Sequence, residues 1–535
     1  MYPFKKNIVK QNILSLFLIV LLSAAIGYLL GNNNIAQSDP QEQQYESLSR
    51  ITKLMEYLSQ DYVDEINTDS LVGVVITDIM EQLDPHSVYI PANREQEIAE
   101  SMQGNFVGIG VSFFMLRDSV AVVRVLEGGP AEKAGILPGD RILMADLDTL
   151  YQKNHLSEYI VSRLKGSPNT QVKLQVYRKK SDSLLTIDLE RGDVPLPSVS
   201  SSYMFNDEVG YIKINRFSQT TYEEFSAALD NLLEQRMQHL VLDLRENPGG
   251  YLLPAKQIVD EFLERGSPIV IVEGNNGNRQ KTIAKGSGRF EQGGLYVLVD
   301  EQSASASEVI AGAIQDNDRG YIIGRRTFGK GLVQQQMPLG QGDQVRLTTA
   351  RYYTPTGRSI QRPYDNETRD EYYAEIQSRF ESGEMASEDK MPVNNGLAFT
   401  TPKGRTVYGG GGIAPDIFIP NNDTTEDEWN TTLFRSILIN RFVFLELDKH
   451  PNKYQFDNAA YFYSEPLEFA DDFINAFEDY CKENNFPVNF KDKDKILSYI
   501  KANIANQIFS ENLYNRIINQ EDPFIQEALD RIAND

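Results

Sequence analysis

The segment LYVLVDEQSASASEVIAGAIQDNDRGYIIGRRTFGK, residues Leu295–Lys330, predicts a strand, a polar corner and a helix in immediate succession. Its first five residues are apolar and rich in β-branched and aromatic side chains, which is typical of a buried strand. A polar corner follows, and apolar residues then recur on one helix face: Ala306, Val309, Ile310, Ala313 and Ile314. Asp318-Arg319-Gly320 ends this helix, and a second strand begins at Tyr321.

A hydroxyl at such a corner lies where backbone N–H groups and the helix dipole can stabilise a developing anion. Ser303, Ser305 and Ser307 alternate through the corner, so their pattern alone does not choose a nucleophile. Ser305 and Glu308 also have the spacing of a helix capping box. The alternative interpretation is therefore that Ser305 only caps the helix.

Lys330 is the candidate partner of this serine, because no histidine lies nearby in the sequence. It stands between Gly329 and Gly331, with apolar residues on either side. If this turn is buried, desolvation disfavours the ammonium form, and the free amine can accept a proton near neutral pH. A serine and a lysine together indicate nucleophilic catalysis without histidine.

A second strand–turn–helix pattern precedes this segment. The buried strand His239–Leu244 leads into Asn247-Pro248-Gly249-Gly250, and an amphipathic helix runs over Leu252–Leu263. We expect the two corners to face one another. The amide of Gly249 or Gly250, together with that of Ala306, would then form an oxyanion pocket. The alternative is that the double glycine only makes a tight turn.

Three other features could suggest a different kind of active site, but none of them supports one. Gly324–Gly331 matches the start of a phosphate-binding loop, but Gly331 stands where Ser or Thr should reach Mg²⁺, and residues 332–338 read as a strand rather than a helix. His86 follows Asp84-Pro85 and is interpreted as a turn or capping residue. Cys481 is interpreted as structural. No ligand spacing typical of a metal site is found, and no cofactor is expected.

Composition restricts the class of partner. The chain has 535 residues, which predicts several domains, with hydrophobic content of 41% and charged content of 24%. Its 52 Lys and Arg against 76 Asp and Glu give a net charge of −24. Nucleic acid is therefore not expected as a partner, since no surplus of basic residues is present to neutralise phosphates.

The N-terminus predicts a membrane anchor. Lys5, Lys6 and Lys10 precede Ile13–Leu30, an uncharged and mostly apolar run that as a helix would span roughly 27 Å. We favour an uncleaved, single-pass signal anchor over a cleaved signal peptide. The positive-inside rule then places the following chain outside the cytoplasmic membrane, in the periplasm of a Gram-negative cell.

Short strands with turn residues occupy the region from about Gln103 to Lys180. Gly108-Ile109-Gly110-Val111, Gly129–Gly135 and Leu137–Ile142 together resemble a PDZ domain of the bacterial, protease-associated kind. The resemblance implies that the Gly-x-Gly loop holds the terminal carboxylate of a peptide and that the next strand accepts the peptide as an added strand. The alternative is a small β-rich spacer.

Flanking segments complete the organisation. Asn32–Gln44 is interpreted as a linker, and Lys179–Pro197 as a linker that ends in the strand-like stretch Leu185–Leu189 and a pair of prolines. The run from Tyr45 to Gln82 is predicted to be helical, with a second helix over Leu71–Leu83. After Asn421 four amphipathic helices are predicted, over Phe434–Leu447, Leu467–Glu483, Ile496–Ile508 and Leu513–Ile518. We expect this last region to be a brace or a docking module for an adaptor or a second copy of the chain.

Taken together, the motifs resemble those of the carboxy-terminal processing proteases, or tail-specific proteases, from about Tyr45 to Pro420. The matching segments are Leu83–Ser87, the PDZ segments, Asp243–Arg245 with Asn247–Gly250, Ser303–Glu308, Thr327–Gly331 with Val333–Gln335, and Gly410–Asp416. This resemblance implies that Ser305 is the nucleophile, that Lys330 is the general base and that Gln334 orients Lys330. It also implies a crotonase-like (ClpP-like) α/β core with the PDZ domain inserted as a substrate gate.

The sequence thus predicts an α/β protease core with an inserted PDZ domain, an N-terminal transmembrane helix and a C-terminal, mostly helical extension. The predicted bounds are 1–34 for the cytoplasmic stub and anchor, 35–100 for an N-terminal helical segment, 101–182 for the PDZ domain, 183–420 for the core and 421–535 for the extension. The expected function is a serine endopeptidase that cleaves extracytoplasmic proteins near exposed C-terminal tails. The alternative is a catalytically silent PDZ scaffold that binds protein C-termini.

Overall fold

The computed structural model describes residues 17–26, 40–116, 119–151, 155–365, 367–392, 394–421, 437–486 and 492–534. It divides into two compact units, Met1–Ile79 and Met80–Asp535. The predicted anchor Ile13–Leu30 belongs to the first unit and lies only partly within the described residues, where 17–26 form helix α1. No helix among the described residues has both the length and the apolar character that crossing a bilayer requires.

The first unit continues with two helices, α2 over Pro40–Gln60 and α3 over Thr68–Glu81, the second of which reaches the start of the next unit. The predicted linker Asn32–Gln44 is wrong over its last residues, because α2 already begins at Pro40. Proline is well accommodated at a helix start, where its missing N–H is not needed.

The second unit begins with strand β1 (Val88–Ile90) and helix α4 (Ala92–Gln103), which lead into the PDZ domain. The elements of this domain are β2 (Asn105–Gly108), β3 (Val111–Leu116), β4 (Ser119–Val125), α5 (Pro130–Lys133), β5 (Arg141–Ala145), β6 (Asp148–Thr149), α6 (Ser157–Leu164), β7 (Gln171–Arg178), β8 (Ser183–Glu190) and β9 (Gly192–Pro195). The main sheet has the order β3-β4-β5-β7-β8, so β3 lies at an edge.

The predicted PDZ boundary at residue 182 falls between two paired strands. β7 and β8 form an antiparallel ladder from Gln171↔Glu190 to Arg178↔Ser183, so β8 belongs to the same sheet. β9 pairs with β2 and closes the domain. The strand-like stretch predicted at Leu185–Leu189 is thus part of β8, and the rest of the predicted linker Lys179–Pro197 is wrong where it forms the remainder of β8 and β9, because both strands pair within the PDZ domain.

The protease core is built on a sheet with the order β10-β11-β12-β15-β16-β21. In chain order the elements of this region are β10 (Val199–Met204), β11 (Val209–Ile214), α7 (Thr221–Glu234), β12 (His239–Asp243), α8 (Leu252–Asp260), β13 (Pro268–Gly274), β14 (Arg279–Ile283), β15 (Gly294–Val299), α9 (Ala306–Asp316) and β16 (Tyr321–Gly324). Of these, β13 and β14 belong to a second sheet. From β11 to β16 the neighbouring strands are parallel, with a helix in each crossover. The carboxyl ends of β12, β15 and β16 therefore meet at one edge.

A second, antiparallel sheet lies beside this edge and contains β1, β13 and β14 with β17 (Leu332–Gly340) and β18 (Asp343–Tyr353). Helix α10 (Arg369–Glu381) and short 3₁₀ turns follow, and then β19 (Ala398–Thr400), β20 (Thr406–Tyr408) and β21 (Ile417–Phe418), which joins the main sheet parallel to β16. β17 pairs with β18 directly after the Lys330 turn, as a strand rather than the helix that a phosphate-binding loop requires.

The described residues beyond 437 form helices α11 (Ile437–Lys449), α12 (Ala459–Ser464), α13 (Ala470–Glu483), α14 (Lys493–Ile508), α15 (Glu511–Ile518) and α16 (Pro523–Asn534). Helices α11 to α15 share an aromatic-rich core that includes Cys481. Burial raises the pKa of this thiol to about 11, which fits a structural role. Sequence periodicity did not reveal α12 or α16.

Helix α16 covers one face of the protease sheet. Leu240 and Leu242 of β12 pack against α7, α8 and α9, whereas Val241 faces the other way and packs with α16. This alternation is the two-residue period of a strand that is buried on both sides. Phe524 of α16 also lies under the Arg245 and Arg325 guanidinium groups, 4.6 and 5.3 Å from its ring centre. The extension therefore forms the third layer of the core.

We expect Phe524→Ala to lower the free energy of unfolding by about 3–5 kcal/mol, because it leaves a cavity under the sheet. Phe524 is only 7% exposed, whereas Tyr461 in the same extension is 65% exposed. Tyr461→Ala is the matched control and should change stability by less than about 0.5 kcal/mol. Chemical and thermal unfolding of the full chain measure both variants. Equal midpoints for the two would show that α16 does not support the core.

Candidate active site

Ser305 stands at the head of α9, where the chain turns sharply from strand to helix. Its backbone angles are φ +55° and ψ −110°, a region that non-glycine residues rarely adopt. The Ser305 N–H donates to Glu308 Oε2 at 2.8 Å, and the Val309 N–H donates to the Ser305 carbonyl at 3.0 Å. These bonds hold a strained serine at the start of a buried helix, as functional sites often require.

The structure distinguishes between the three alternating serines. Ser303 Oγ donates to the Leu244 carbonyl at 2.8 Å, and Ser307 Oγ donates to the Asn247 carbonyl at 3.0 Å. Both of these hydroxyls are buried and tie α9 to the end of β12. Ser305 alone of the three is half-buried rather than buried. Ser303 and Ser307 are therefore structural, and Ser305 is the most accessible of the three serines.

Lys330 occupies the turn between β16 and β17. Its Nζ donates to Gln334 Oε1 at 2.9 Å, and Gln334 Nε2 donates to the backbone carbonyl of His86. Burial lowers the pKa of Lys330 to about 8, and the charge of Arg346 acts in the same direction, against the raising effects of Glu308 and Asp84. A substantial fraction of this side chain is therefore a free amine slightly above neutral pH.

Two side chains bind the backbones of Ser305 and Lys330 at the same time. Glu308 Oε2 accepts the N–H of Ser305 at 2.8 Å and that of Lys330 at 2.9 Å. The Tyr352 hydroxyl lies 3.0 Å from the Ser305 carbonyl and 2.6 Å from the Lys330 carbonyl, so its single proton is shared between them. The serine and the lysine are therefore fixed to one another through common partners, although they are distant in sequence.

The protonation states of these two partners follow from their burial. Burial raises the pKa of Glu308 to about 7, although hydrogen bonds from Thr327, Lys330, Gly329 and Ser305 oppose this rise. Burial also raises the pKa of the Tyr352 hydroxyl well above its ordinary value. Above neutral pH Glu308 is therefore a carboxylate, which accepts hydrogen bonds, and Tyr352 is a neutral phenol, which donates one.

The glycine turn after β12 lies directly beside Ser305. A Cβ placed on Gly249 would be 2.8 Å from Ser305 Cβ and 3.0 Å from the Ala306 nitrogen. The Gly249 N–H donates to Asn247 Oδ1 at 2.9 Å, and Asn247 Nδ2 donates to the Ile214 carbonyl at 2.8 Å. The Gly249 amide is therefore engaged within its own turn, and its role as an oxyanion donor stays a prediction. Gly250, which is exposed, and Ala306 stay as predicted donors.

The predicted peptide-binding loop Gly108–Val111 connects β2 to β3. The carbonyls of Ile109 and Gly110 accept the N–H groups of Ala131 and Leu126, at 2.7 and 3.0 Å. Gly110 has φ +82°, which suits glycine. Within the described ranges β3 pairs only with β4, so its other edge is open to an added strand.

His86 is not placed to act as a base. Its ring nitrogens lie 3.1 Å from the Tyr373 hydroxyl and 3.3 Å from the Tyr372 hydroxyl. Burial, followed by the charge of Lys330, lowers the pKa of His86 to about 3. The imidazole is therefore neutral and fixed, and its backbone, rather than its ring, contacts the site through Gln334. Within the parts of the chain that the structure describes, no group of three or more His, Cys, Asp or Glu side chains is placed to hold a metal ion.

The chain is similar in sequence to known protein families and to individual proteins. Family models match residues 208–367 as peptidase family S41, residues 107–189 as a PDZ domain and residues 429–510 as a family of unknown function. The carboxy-terminal processing protease CtpB of Bacillus subtilis is 30% identical over 328 residues, which cover 61% of this chain and 67% of that protein. The carboxy-terminal-processing protease of Bartonella bacilliformis is 34% identical over 322 residues, or 59% and 73% of the two chains.

The chain belongs to peptidase family S41. Its relatives are carboxy-terminal processing proteases, and it is a serine peptidase with a PDZ domain. Among solved structures, the photosystem II D1 C-terminal processing protease is 26% identical, with a TM-score of 0.36, and the match covers 70% of this chain and 87% of that one.

Sequence reasoning missed several residues of this S41 site. Glu308 was identified only as a capping partner, and Tyr352, Arg346 and Asn247 were not singled out. Ser-x-x-Glu spacing was the available signal for Glu308. Tyr352 carries no local signal, because its hydroxyl meets Ser305 and Lys330 only after β18 has paired in the second sheet.

We expect Gly249→Ala to reduce peptidase activity and stability, because the new Cβ would lie 2.7 Å from the Ala304 carbonyl and 2.8 Å from Ser305 Cβ. Gly266→Ala is the matched control, since Gly266 has φ +89° against +96° for Gly249 but no atom within 4 Å of the added carbon. Both variants carry the backbone strain of about 1–2 kcal/mol, and only the first displaces the serine. Peptidase rate and melting temperature measure the difference; equal effects of the two variants would contradict it.

Proposed function

We propose that this S41 peptidase is an endopeptidase that cleaves proteins near their C-termini, with Ser305 as nucleophile, neutral Lys330 as general base and Gln334 as its orienting residue. The observation that carries the proposal is that Glu308 and Tyr352 each bind the backbones of both Ser305 and Lys330. The backbones that carry a half-buried serine and a lysine of depressed pKa are thereby held together, which supports lysine-based nucleophilic catalysis.

Acylation begins when Ser305 Oγ attacks the scissile carbonyl carbon and Lys330 Nζ accepts the hydroxyl proton. The oxyanion of the tetrahedral intermediate receives hydrogen bonds from the amides of Gly250 and Ala306. The intermediate collapses with cleavage of the C–N bond, and the Lys330 ammonium gives its proton to the leaving amine. Water then attacks the carbonyl carbon of the Ser305 ester and loses a proton to Lys330. As the C–O bond to Ser305 breaks, the Lys330 ammonium returns this proton to Ser305 Oγ, and the product leaves with a new C-terminal carboxyl group.

Gln334 suits this cycle because it is neutral. Its Oε1 accepts one N–H of the Lys330 amine at 2.9 Å, which leaves the nitrogen lone pair for the serine proton. A carboxylate in the same place would favour the ammonium form and raise the pKa of the base. The amide therefore orients Lys330 without opposing its deprotonation.

Substrate capture is proposed to occur at the PDZ domain. A C-terminal tail would add to the open edge of β3, with its terminal carboxylate at the loop Gly108–Val111. The PDZ domain is inserted between α4 and β10, so a captured tail is held on the same unit as the catalytic core. The core itself is inferred to have the crotonase-like (ClpP-like) arrangement, which parallel β-α-β crossovers support.

We also propose that Ile13–Leu30 anchors the enzyme in the cytoplasmic membrane and that the protease faces the extracytoplasmic space. The support is the sequence: an uncharged apolar run preceded by three lysines. Protease accessibility of the PDZ domain in spheroplasts tests the orientation, and digestion only after lysis would contradict it.

We expect Ser305→Ala and Lys330→Arg each to reduce the rate of cleavage of a protein with an exposed apolar tail by a factor on the order of 10⁴. Arginine keeps the positive charge of Lys330, but it cannot release a proton and so cannot act as a base. Gel analysis and mass spectrometry of the products measure cleavage.

Tail binding in the same variants is the control and should persist, since the PDZ domain is unchanged. Continued cleavage by either variant would contradict the role of that residue. Absence of cleavage by the wild type, with tail binding retained, would instead favour a silent PDZ scaffold.

The pH dependence gives a separate expectation. Activity should rise with pH through about 8, because the ammonium of Lys330 must lose a proton to act. Arg346→Gln removes a charge that lowers this pKa, so the acidic limb of kcat/KM should move to higher pH. Arg351→Gln, on the exposed side of the same strand, should leave the limb in place. A flat profile from mildly acidic to alkaline pH would contradict lysine as the base.

A further inference from the structure

The turn Asp84–Ser87 is organised around one buried carboxylate. Asp84 is 7% exposed, and its Oδ1 accepts the N–H groups of His86 and Ser87 at 2.8 and 2.9 Å. Its Oδ2 accepts the Ser87 hydroxyl at 2.6 Å. Ser87 Oγ in turn accepts the N–H of Thr348 at 3.1 Å, which ties the turn to β18. The position of the His86 peptide is thus fixed by Asp84.

The His86 carbonyl decides the orientation of Gln334. A carbonyl oxygen can only accept, so the side of the Gln334 amide that faces it must be the NH₂ group. The amide oxygen is then directed to Lys330 Nζ, 2.9 Å away. If the His86 carbonyl moved, the Gln334 amide could rotate and present its N–H groups to Lys330. Gln334 would then no longer orient the lone pair of the Lys330 nitrogen.

The other side of the turn is held by aromatic rings. The His86 ring meets Tyr372 edge-on at 5.1 Å, and Phe328, two residues before Lys330, lies 6.3 Å from it. The Arg362 guanidinium stacks over Tyr372 at 3.7 Å. These contacts pack the turn against the Lys330 loop, so that displacement of one requires displacement of the other.

We propose that the Asp84–Ser87 turn positions the general base, with Asp84 acting through the His86 carbonyl and Gln334 on Lys330. This inference rests on the proposed function and deepens it, because it names a positioning residue that lies outside the serine and lysine motifs. Asp84 touches neither the substrate nor the reacting atoms; it acts through two intermediates.

Asp84 has a second, electrostatic effect on Lys330. The charged groups that influence Lys330 are Glu308 from α9, Asp84 from the turn and Arg346 from β18, while His86 stays neutral. A carboxylate stabilises the ammonium, so Asp84 raises the pKa of Lys330. Neutralising Asp84 must therefore lower that pKa, in the direction opposite to the removal of Arg346.

The variants Asp84→Asn and Asp84→Ala separate the electrostatic effect of Asp84 on Lys330 from its positioning effect. Asparagine keeps an acceptor for the two N–H groups but has no charge, so we expect a kcat near that of the wild type and an acidic limb of kcat/KM at lower pH. Alanine removes the acceptor, so we expect kcat to fall by about 10²-fold from misplacement of the base, with an unchanged KM for a tail-bearing substrate. Asp492→Asn, at the exposed start of α14, is the charge-matched control and should not move the limb.

A double-mutant cycle tests whether Asp84 acts through Gln334. Asp84→Ala combined with Gln334→Ala should lower kcat no further than Gln334→Ala alone, because both variants break the same chain of contacts. Multiplicative losses would overturn the proposal. If Asp84→Ala does not fold, as its melting temperature would show, Ser87→Ala decides instead. It removes the hydroxyl that ties the turn to Thr348 but keeps the charge of Asp84, so kcat should fall with no shift of the acidic limb, and an unchanged kcat would overturn the proposal. Full activity of Lys330→Arg would refute the lysine base itself and is a separate outcome.

Discussion

The site depends on the Glu308 carboxylate, which is fully buried at the start of α9. Burial of a carboxylate is costly unless its oxygens are hydrogen-bonded, and here four donors surround it. These are the N–H groups of Ser305, Gly329 and Lys330 and the Thr327 hydroxyl. All the donors come from the two segments that carry the proposed nucleophile, Ser305, and the proposed base, Lys330. The requirement to satisfy one buried charge therefore brings these segments together.

The same low-polarity environment sets the chemistry of Lys330. Burial and Arg346 disfavour its ammonium form, and Glu308 and Asp84 favour it. The balance places its pKa near 8, low enough to supply a free amine and high enough to return a proton to the leaving group. The uncharged partner Gln334 preserves this balance, because it adds a hydrogen bond without a charge.

The C-terminal extension packs against both the catalytic core and the PDZ domain. Asp522 pairs with Arg245 at 2.8 Å, close to the start of the glycine turn, and α16 fills the second face of the sheet. At its other end, Phe444 packs edge-on against Phe114 of the PDZ domain at 5.8 Å, and Asp448 pairs with Arg141 at 2.8 Å. The extension thus contacts both the PDZ domain and the catalytic layer, and its contacts with the PDZ domain come from the segment 429–510 that matches a family of unknown function.

The sequence by itself determined most of the elements, and the resemblance of its motifs to a known family implied the candidate dyad. The corner at Ser305, the turn at Lys330 and the PDZ segments are encoded locally, since each depends on spacing and turn residues within a short stretch. Only the tertiary structure decided which glycine amide is engaged, how Tyr352 joins the serine to the lysine and where α16 packs. Each of these depends on groups that are distant in the chain, and a buried hydrogen bond or an apolar contact between them leaves no periodic trace in the sequence.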